Sequence, residues 1–384
     1  MTAFDIAIIG GGVIGTSIAF ELAAEKLRVV VLDRQQPGHE ASWAAAGMLS
    51  PAPDSFRDIP LVPLARESLR LYSEFAAGIE EASGRSIGYE REGTLELFSG
   101  PRGENDRNRR VSECQRLGIT AEAISIKTAR GWETAISQAA QAAIWLPEEG
   151  RVEPRLLMEA AILAAHHRGV EFRNNCQVSE LLTDRGRCQG IVACDETISA
   201  GHVILAAGCF SGEMQDDCLR QYAPTRPVRG QMVALRPDGC RIQRVLRSER
   251  GYLVPRRGGG QIVAGSTSEE AGFAKRVTAE GIRQILDSAL ELVPSLGSAE
   301  IVETWSGLRP GTPDGLPILG PAHVDGLLIA TGHYRNGILL AAATAKLMRE
   351  WITRGHTSFE TDPFSPLRFH RASLRSASGS IARN

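Results

Sequence analysis

The sequence predicts an α/β protein: a Rossmann-like domain with a parallel sheet, joined to a second domain built mostly of antiparallel strands. Three observations predict it. Residues 4–34 read as strand, glycine-rich turn, helix, strand and acid. Two further apolar runs, HVILAAG at 202–208 and Leu327 to Ala330, have the continuous hydrophobicity of buried parallel strands. Between them, PVRGQMVALRP, RGYLVPRR and GGQIVAGST follow one another as strands without intervening helices.

The first stretch carries a ligand signature. The apolar run Ile6 to Ile9 leads into Gly10, Gly12 and Gly15 in G-x-G-x-x-G spacing. Gly10 permits the tight turn, Gly12 lets backbone N–H groups approach a pyrophosphate, and Gly15 lets an amphipathic helix pack close to the sheet. The helix N-terminus adds partial positive charge there. A second apolar run ends at Asp33, placed as an acid that binds ribose hydroxyls about 20 residues beyond the glycines. Such an acid disfavours a 2′-phosphate and therefore NADP. The spacing alone also fits a glycine-rich turn that holds nothing.

A length of 384 residues suggests two domains, and 43% hydrophobic with 23% charged residues is ordinary for a globular protein. The net charge of −2 gives no bulk attraction to nucleic acid or an anionic membrane. No run approaches the ~18 apolar residues that span a bilayer. The N-terminus runs directly into a strand without a cleavable leader pattern, so a cytoplasmic location is expected. The seven cysteines are scattered without C-x-x-C and read as reduced, mostly buried thiols. No His, Cys or Asp cluster has metal-ligand spacing, so no metal is expected.

In chain order, GHEASWAAAGMLSPAP (38–53) follows the acid. Its small residues let backbone lie against a flat ligand, with Gly47 free to take unusual angles. Residues 59–82 have helical periodicity, 88–100 read as strands joined by a turn, and 103–130 as polar surface helices. A helix is expected from Pro154 to His167, closed by Gly169. Strands follow near 170–182 and 188–198, then the 202–208 run, where Gly208 is a second close-approach glycine at a strand end. After the antiparallel pieces comes a helix from Ala279 to Leu292, then the turn-rich ETWSGLRPGTPDGLPILG (303–320). The last strand ends in TGHYRNG, and a long helix begins at its glycine. The resulting division is 1–85, 148–222 and 304–365 for the cofactor domain, and 86–147 with 223–303 for the substrate domain. The Ser- and Arg-rich stretch 366–384 is expected to be a disordered tail.

Six segments, IAIIGGGVIG, ASWAAAGMLSP, RPVRGQM, GYLVPR, WSGLRPGTPDGLPILG and GHYRNGILLAAATA, together resemble the glycine oxidase and D-amino-acid oxidase family of FAD enzymes. The similarity is strongest to the glycine oxidases of thiamine-thiazole synthesis. It implies FAD rather than NAD. It puts Val13 and Ile14 in the phosphate loop, Asp33 and Arg34 at the adenosine, and the Val178 backbone at the adenine. Ala41, Ser42, Ala46, Gly47 and Met48 would line the isoalloxazine side, and His333, Tyr334, Arg335, Asn336, Gly337, Ile338 and Leu339 would wrap the flavin edge. Arg309 would take the substrate carboxylate, with Tyr252 and Arg335 as further pocket residues. Arg250 and Ser268 fall at variable pocket positions.

The chemistry suits those residue types. Hydride transfer from an amine to a flavin needs a neutral amine and correct aim, and no side chain is expected to act as acid or base. Arginine makes a planar two-pronged contact with a carboxylate. The helix after GHYRNG would offset negative charge on a reduced ring. No cysteine lies in 305–320 or 330–340, so the FAD is expected to be dissociable. The resemblance also implies oxygen as acceptor, release of hydrogen peroxide, a thiazole synthase as recipient of the imine, and a homotetramer. A D-amino-acid dehydrogenase, a sarcosine oxidase-like enzyme, an NAD-dependent dehydrogenase and a non-catalytic dinucleotide-binding module are the rival readings.

Overall fold

A computed structural model describes residues 3–53 and 55–369. Its first sheet runs in the order Ile318–Pro321, Leu327–Thr331, Glu196–Leu205, Ala3–Ile9, Val29–Leu32, Glu171–Arg173. Along this order every pair is parallel except the first, and a branch pairs antiparallel with Glu196–Leu205. Val29–Leu32 and Leu327–Thr331 are buried throughout, as strands covered on both faces must be. Alternation sends Ile6, Ile8, Val29 and Val31 into one core with the helices. Ala7, Ile9, Val30 and Leu32 enter a second core, beneath Leu181 and Ile191 of a two-stranded branch, Val178–Asp184 with Arg187–Ala193.

The first helix, Val13–Ala24, packs against Gly337–Arg354 and Pro154–His167. It is not the amphipathic helix expected. Ten of its twelve residues are buried, because sheet and helices enclose it on nearly every side.

The second sheet has the order Glu300–Gly311, Arg226–Arg236, Ile262–Gly265, Gly251–Pro255, Val245–Ser248, Thr94–Ser99, Ala140–Leu146, Glu122–Ile124. Its pairs are antiparallel except Val245–Ser248 with Thr94–Ser99. Ala279–Leu292 covers one face through Ile285, Ala289 and Leu292, spaced as a helical stripe. The Thr278 hydroxyl caps that helix by accepting the Gly281 N–H at 3.2 Å.

Several elements depart from expectation. Much of the turn-rich 303–320 stretch belongs to the 12-residue strand Glu300–Gly311. Pro310 faces Pro227 at a non-hydrogen-bonded position of the ladder, two residues from Arg229, whose N–H turns away to Glu269, so neither ring removes an N–H that its partner needs. The strand crosses position 304, and the chain re-enters the parallel sheet only at Ile318. Residues 88–100 hold one strand, Thr94–Ser99, and a single bridge from Glu90 to Arg151. Residues 103–130 form Gly103–Arg116 and Ile126–Trp132 with an edge strand between them. Of the predicted tail, 366–369 is anchored: Arg368 donates to Asp314 at 2.7 Å and to the Leu316 carbonyl at 3.0 Å. The rest, 370–384, lies outside the described residues.

Candidate active site

Between the two sheets lies a cavity of about 920 Å³. Its floor is the glycine turn. Gly10 has φ +106°, and a Cβ there would lie 2.6 Å from the Ala206 carbonyl oxygen. At Gly15 a Cβ would lie 1.9 Å from the Gly10 oxygen, so this glycine sets helix-to-strand packing and does not itself line the cavity. Gly12, Val13 and Ile14 do line it, at the start of the buried helix. The Val13 N–H donates to the Ser42 hydroxyl at 2.9 Å, which ties the next loop to the helix N-terminus.

Asp33 accepts the Gly11 N–H at 2.8 Å through one oxygen and the Gln35 N–H at 2.9 Å through the other. Each oxygen keeps acceptor capacity for a sugar hydroxyl. Arg34 stacks 3.3 Å above the Phe210 ring, and Val178 and Gly208 line the same end. Donors at a helix start, a partly engaged acid and a stacked guanidinium fit a dinucleotide.

The middle wall is the 41–48 segment, which opens with one helical turn, Ala41–Ala44. Ala41, Ser42, Ala46, Gly47 and Met48 all line the cavity. Gly47 has φ +89°, and its Cβ would sit 2.0 Å from the Val152 oxygen, so only glycine fits. The second sheet grips this segment. Trp305 donates its indole N–H to the Ala44 carbonyl at 3.1 Å, and Arg256 donates to the Ala46 carbonyl at 2.9 Å. Burial pushes the Arg256 guanidinium down to about 10. Arg256 received no role from the sequence, although GYLVPR, which contains it, was one of the informative segments.

The opposite wall is 333–338. Tyr334 holds φ +48°, and its N–H donates to the Pro310 carbonyl at 3.1 Å. A left-handed tyrosine is a strained conformation of the kind that clusters at functional sites. Asn336, Gly337 and Ile338 present the start of the Gly337–Arg354 helix to the cavity. His333 is buried and hydrogen-bonded to Thr344 at 3.0 Å. Burial holds its pKa at about 3, so the ring is neutral. Leu339 departs from the expected set: it lies in the helical core, and its carbonyl accepts the Ser68 hydroxyl at 2.6 Å.

Arg309 projects from the long strand into the cavity. It donates to the Ser266 hydroxyl at 2.8 Å, the Thr267 carbonyl at 3.0 Å and the Arg229 carbonyl at 3.5 Å. All three acceptors are neutral. Burial lowers the Arg309 pKa, and among the described residues no ion pair involves it. Gly230 makes room for it, since a Cβ there would lie 2.2 Å from the guanidinium. Gly230 and Ser266 were not found by sequence reasoning. The only signal was a glycine inside a strand-like run, PVRGQM. Tyr252 stands beside Arg309 with its hydroxyl 3.5 Å from Met232 Sδ. Arg335 is exposed at the mouth, with its guanidinium 5.3 Å from the Tyr334 ring. A buried cation with neutral partners favours an anionic ligand, because the ligand supplies the missing countercharge.

A charged cluster closes one flank. Arg247 donates to Glu96 at 2.7 Å and to Ser50 at 2.7 Å, and lies 3.4 Å from Glu149. Burial pushes the Glu149 carboxyl above its ordinary value. Among the described residues no group of three or more His, Cys, Asp or Glu is placed to hold a metal, and no helix is long and apolar enough to cross a membrane.

A parallel sheet opening on a glycine turn, with an antiparallel sheet over the same cavity, defines a dinucleotide-dependent oxidoreductase with a separate antiparallel layer. The chain belongs to the FAD dependent oxidoreductase family, whose model matches residues 5–351. FAD is its cofactor, which removes NAD from consideration. The bifunctional protein ThiO/ThiG of Synechocystis sp. is 35% identical over 96% of this chain and 54% of that protein. The chain thus spans about half the length of the ThiO/ThiG relatives it matches. The glycine oxidase of Pseudomonas putida is 32% identical over 94% of this chain and 98% of that protein. The crystal structure of glycine oxidase from Geobacillus kaustophilus superposes with a TM-score of 0.89 at 33% identity, covering 96% of this chain and 99% of that one.

Proposed function

We propose that this chain oxidises glycine, and small amines or D-amino acids of similar size, to the imine, which water converts to glyoxylate and ammonia. The net reaction takes glycine, oxygen and water to glyoxylate, ammonia and hydrogen peroxide. Bound between the glycine turn and the 41–48 and 333–338 walls, FAD would supply the hydride acceptor and the two-electron route to oxygen. The chain's own residues supply aim. Arg309 binds the carboxylate through two N–H groups, and Tyr252 adds a hydroxyl donor. Arg335 guards the mouth. The buried neutral partners of Arg309 are the observation that carries this reading, supported by glycine oxidases among the relatives. Among the described residues no carboxylate competes for the guanidinium, so a small amino acid is held with its α-carbon toward the 41–48 and 333–338 walls. The neutral His333 serves to brace the loop and moves no proton.

In the ThiO/ThiG relatives the matching segment is part of a longer bifunctional protein. That arrangement supports a thiazole synthase as recipient of the imine before it meets water. A homotetramer belongs to the same reading.

Adding glycine without air should bleach the flavin spectrum, and readmitting air should restore it with release of peroxide. Absence of both changes would remove the proposal, whereas bleaching without reoxidation in air would indicate a dehydrogenase. Acid precipitation should leave the yellow colour in the supernatant. The cavity-lining thiols Cys176 and Cys209 lie at the Asp33–Arg34 end, away from the 305–320 and 330–340 segments, and burial is the main cause that pushes both up to about 12.

A further inference from the structure

Two cysteines that the catalytic reading does not use stand in contact at the edge of the cofactor cavity. Cys176 Sγ and Cys194 Sγ are 3.0 Å apart. Cys176 is buried, lines the cavity, and donates its backbone N–H to the Asp33 carbonyl at 2.8 Å. Cys194 is exposed. It occupies the two-residue loop Cys194–Asp195 between paired Ala193 and Glu196. Both loop residues have positive φ, +50° and +61°, the pattern of a tight hairpin turn. Asparagine, aspartate and glycine are the usual occupants of such positions, and a cysteine there costs backbone energy. That conformation directs its sulfur at Cys176. Val178 pairs with Ala193, so the two strands already hold the thiols in register.

We propose that Cys176 and Cys194 form a peroxide-responsive thiol pair, which closes to a disulfide that staples the hairpin turn to the Asp33 end of the cofactor cavity. The oxidant is hydrogen peroxide. The exposed Cys194 thiolate attacks one peroxide oxygen. An S–O bond forms, the O–O bond breaks, and hydroxide leaves as water after taking a proton. The Cys176 sulfur then displaces the sulfenic oxygen: the S–S bond forms, the S–O bond breaks, and the Cys176 proton departs in the second water. Two thiols and one peroxide give one disulfide and two waters. The link closes a short loop at the place where backbone contacts hold Asp33. Only the source of the oxidant rests on the proposed amine oxidation.

The test treats the holoenzyme with added hydrogen peroxide and reads intact mass, thiols titrated after denaturation, and peptide maps. The expected result is a loss of 2 Da, a fall from seven free thiols to five, and a Cys176–Cys194 peptide that dithiothreitol separates. The Cys194→Ser protein should show no 2 Da loss under the same dose. A cross-link between other cysteines overturns the proposal, as does Cys194 accumulating as sulfinic acid while Cys176 stays free. A parallel arm replaces added peroxide with glycine in air, with and without catalase. If that arm alone fails, amine oxidation by this chain is overturned and the thiol pair stands.

Discussion

His333 shows at the residue scale how burial assigns a role. An imidazole facing a flavin loop invites an acid–base assignment, which the sequence already disfavours because the chemistry needs none. The structure buries the ring against Thr344 and keeps it neutral. The consequence for stability has a definite sign. Unfolded, the ring takes a proton below its ordinary pKa of ~6.5. Folded, it takes one only at about 3. Stability from this residue is therefore complete above ~6.5 and is lost as pH falls toward 3. His333→Asn should reduce the drop in thermal midpoint between pH 7.5 and pH 5. Equal drops in both proteins would show that the ring is solvated. Oxidation itself should show no pH transition from this residue.

Among elements, the 41–48 segment depends most on both sheets. Its alanines and glycine mark a backbone lying against a flat group, and the sequence shows that much. It does not show the grip. The Trp305 and Arg256 donors come from strands more than 200 residues away, and nothing local in the chain pairs them with Ala44 and Ala46. Gly47→Ala tests the element. The added methyl meets the Val152 oxygen in a left-handed conformation that alanine disfavours. The cost should be about 1–3 kcal/mol, with a lower thermal midpoint and weaker FAD retention. Unchanged FAD affinity in equilibrium dialysis would mean that the segment does not contact the cofactor. The long strand Glu300–Gly311 was concealed for a different reason. Its two glycines and Pro310 imitate a turn, and only the register against Arg226–Arg236 shows that they fit a ladder.

Across the whole molecule, the strand, glycine turn, helix and acid were legible because each follows from local spacing. That apolar runs from both ends and the middle of the chain share a parallel sheet also followed, since such runs have few alternatives to a doubly covered sheet; their order in it is set by folding. The placement of Arg309 was legible only as a family resemblance. The carbonyls of Thr267 and Arg229, the Ser266 hydroxyl and the space left by Gly230 come from two other segments. These neutral partners leave the guanidinium ready for an anion. The charged flank formed by Arg247, Glu96 and Glu149 is likewise assembled only by folding.

The carboxylate clamp is tested most directly by anaerobic glycine titration of the wild-type and Arg309→Leu holoproteins, followed by flavin absorbance. Loss of a buried charged pair costs about 2–5 kcal/mol. The variant should keep its yellow spectrum, with half-saturation moved up by one to several orders of magnitude. Bleaching of both proteins at the same glycine concentration would contradict the account.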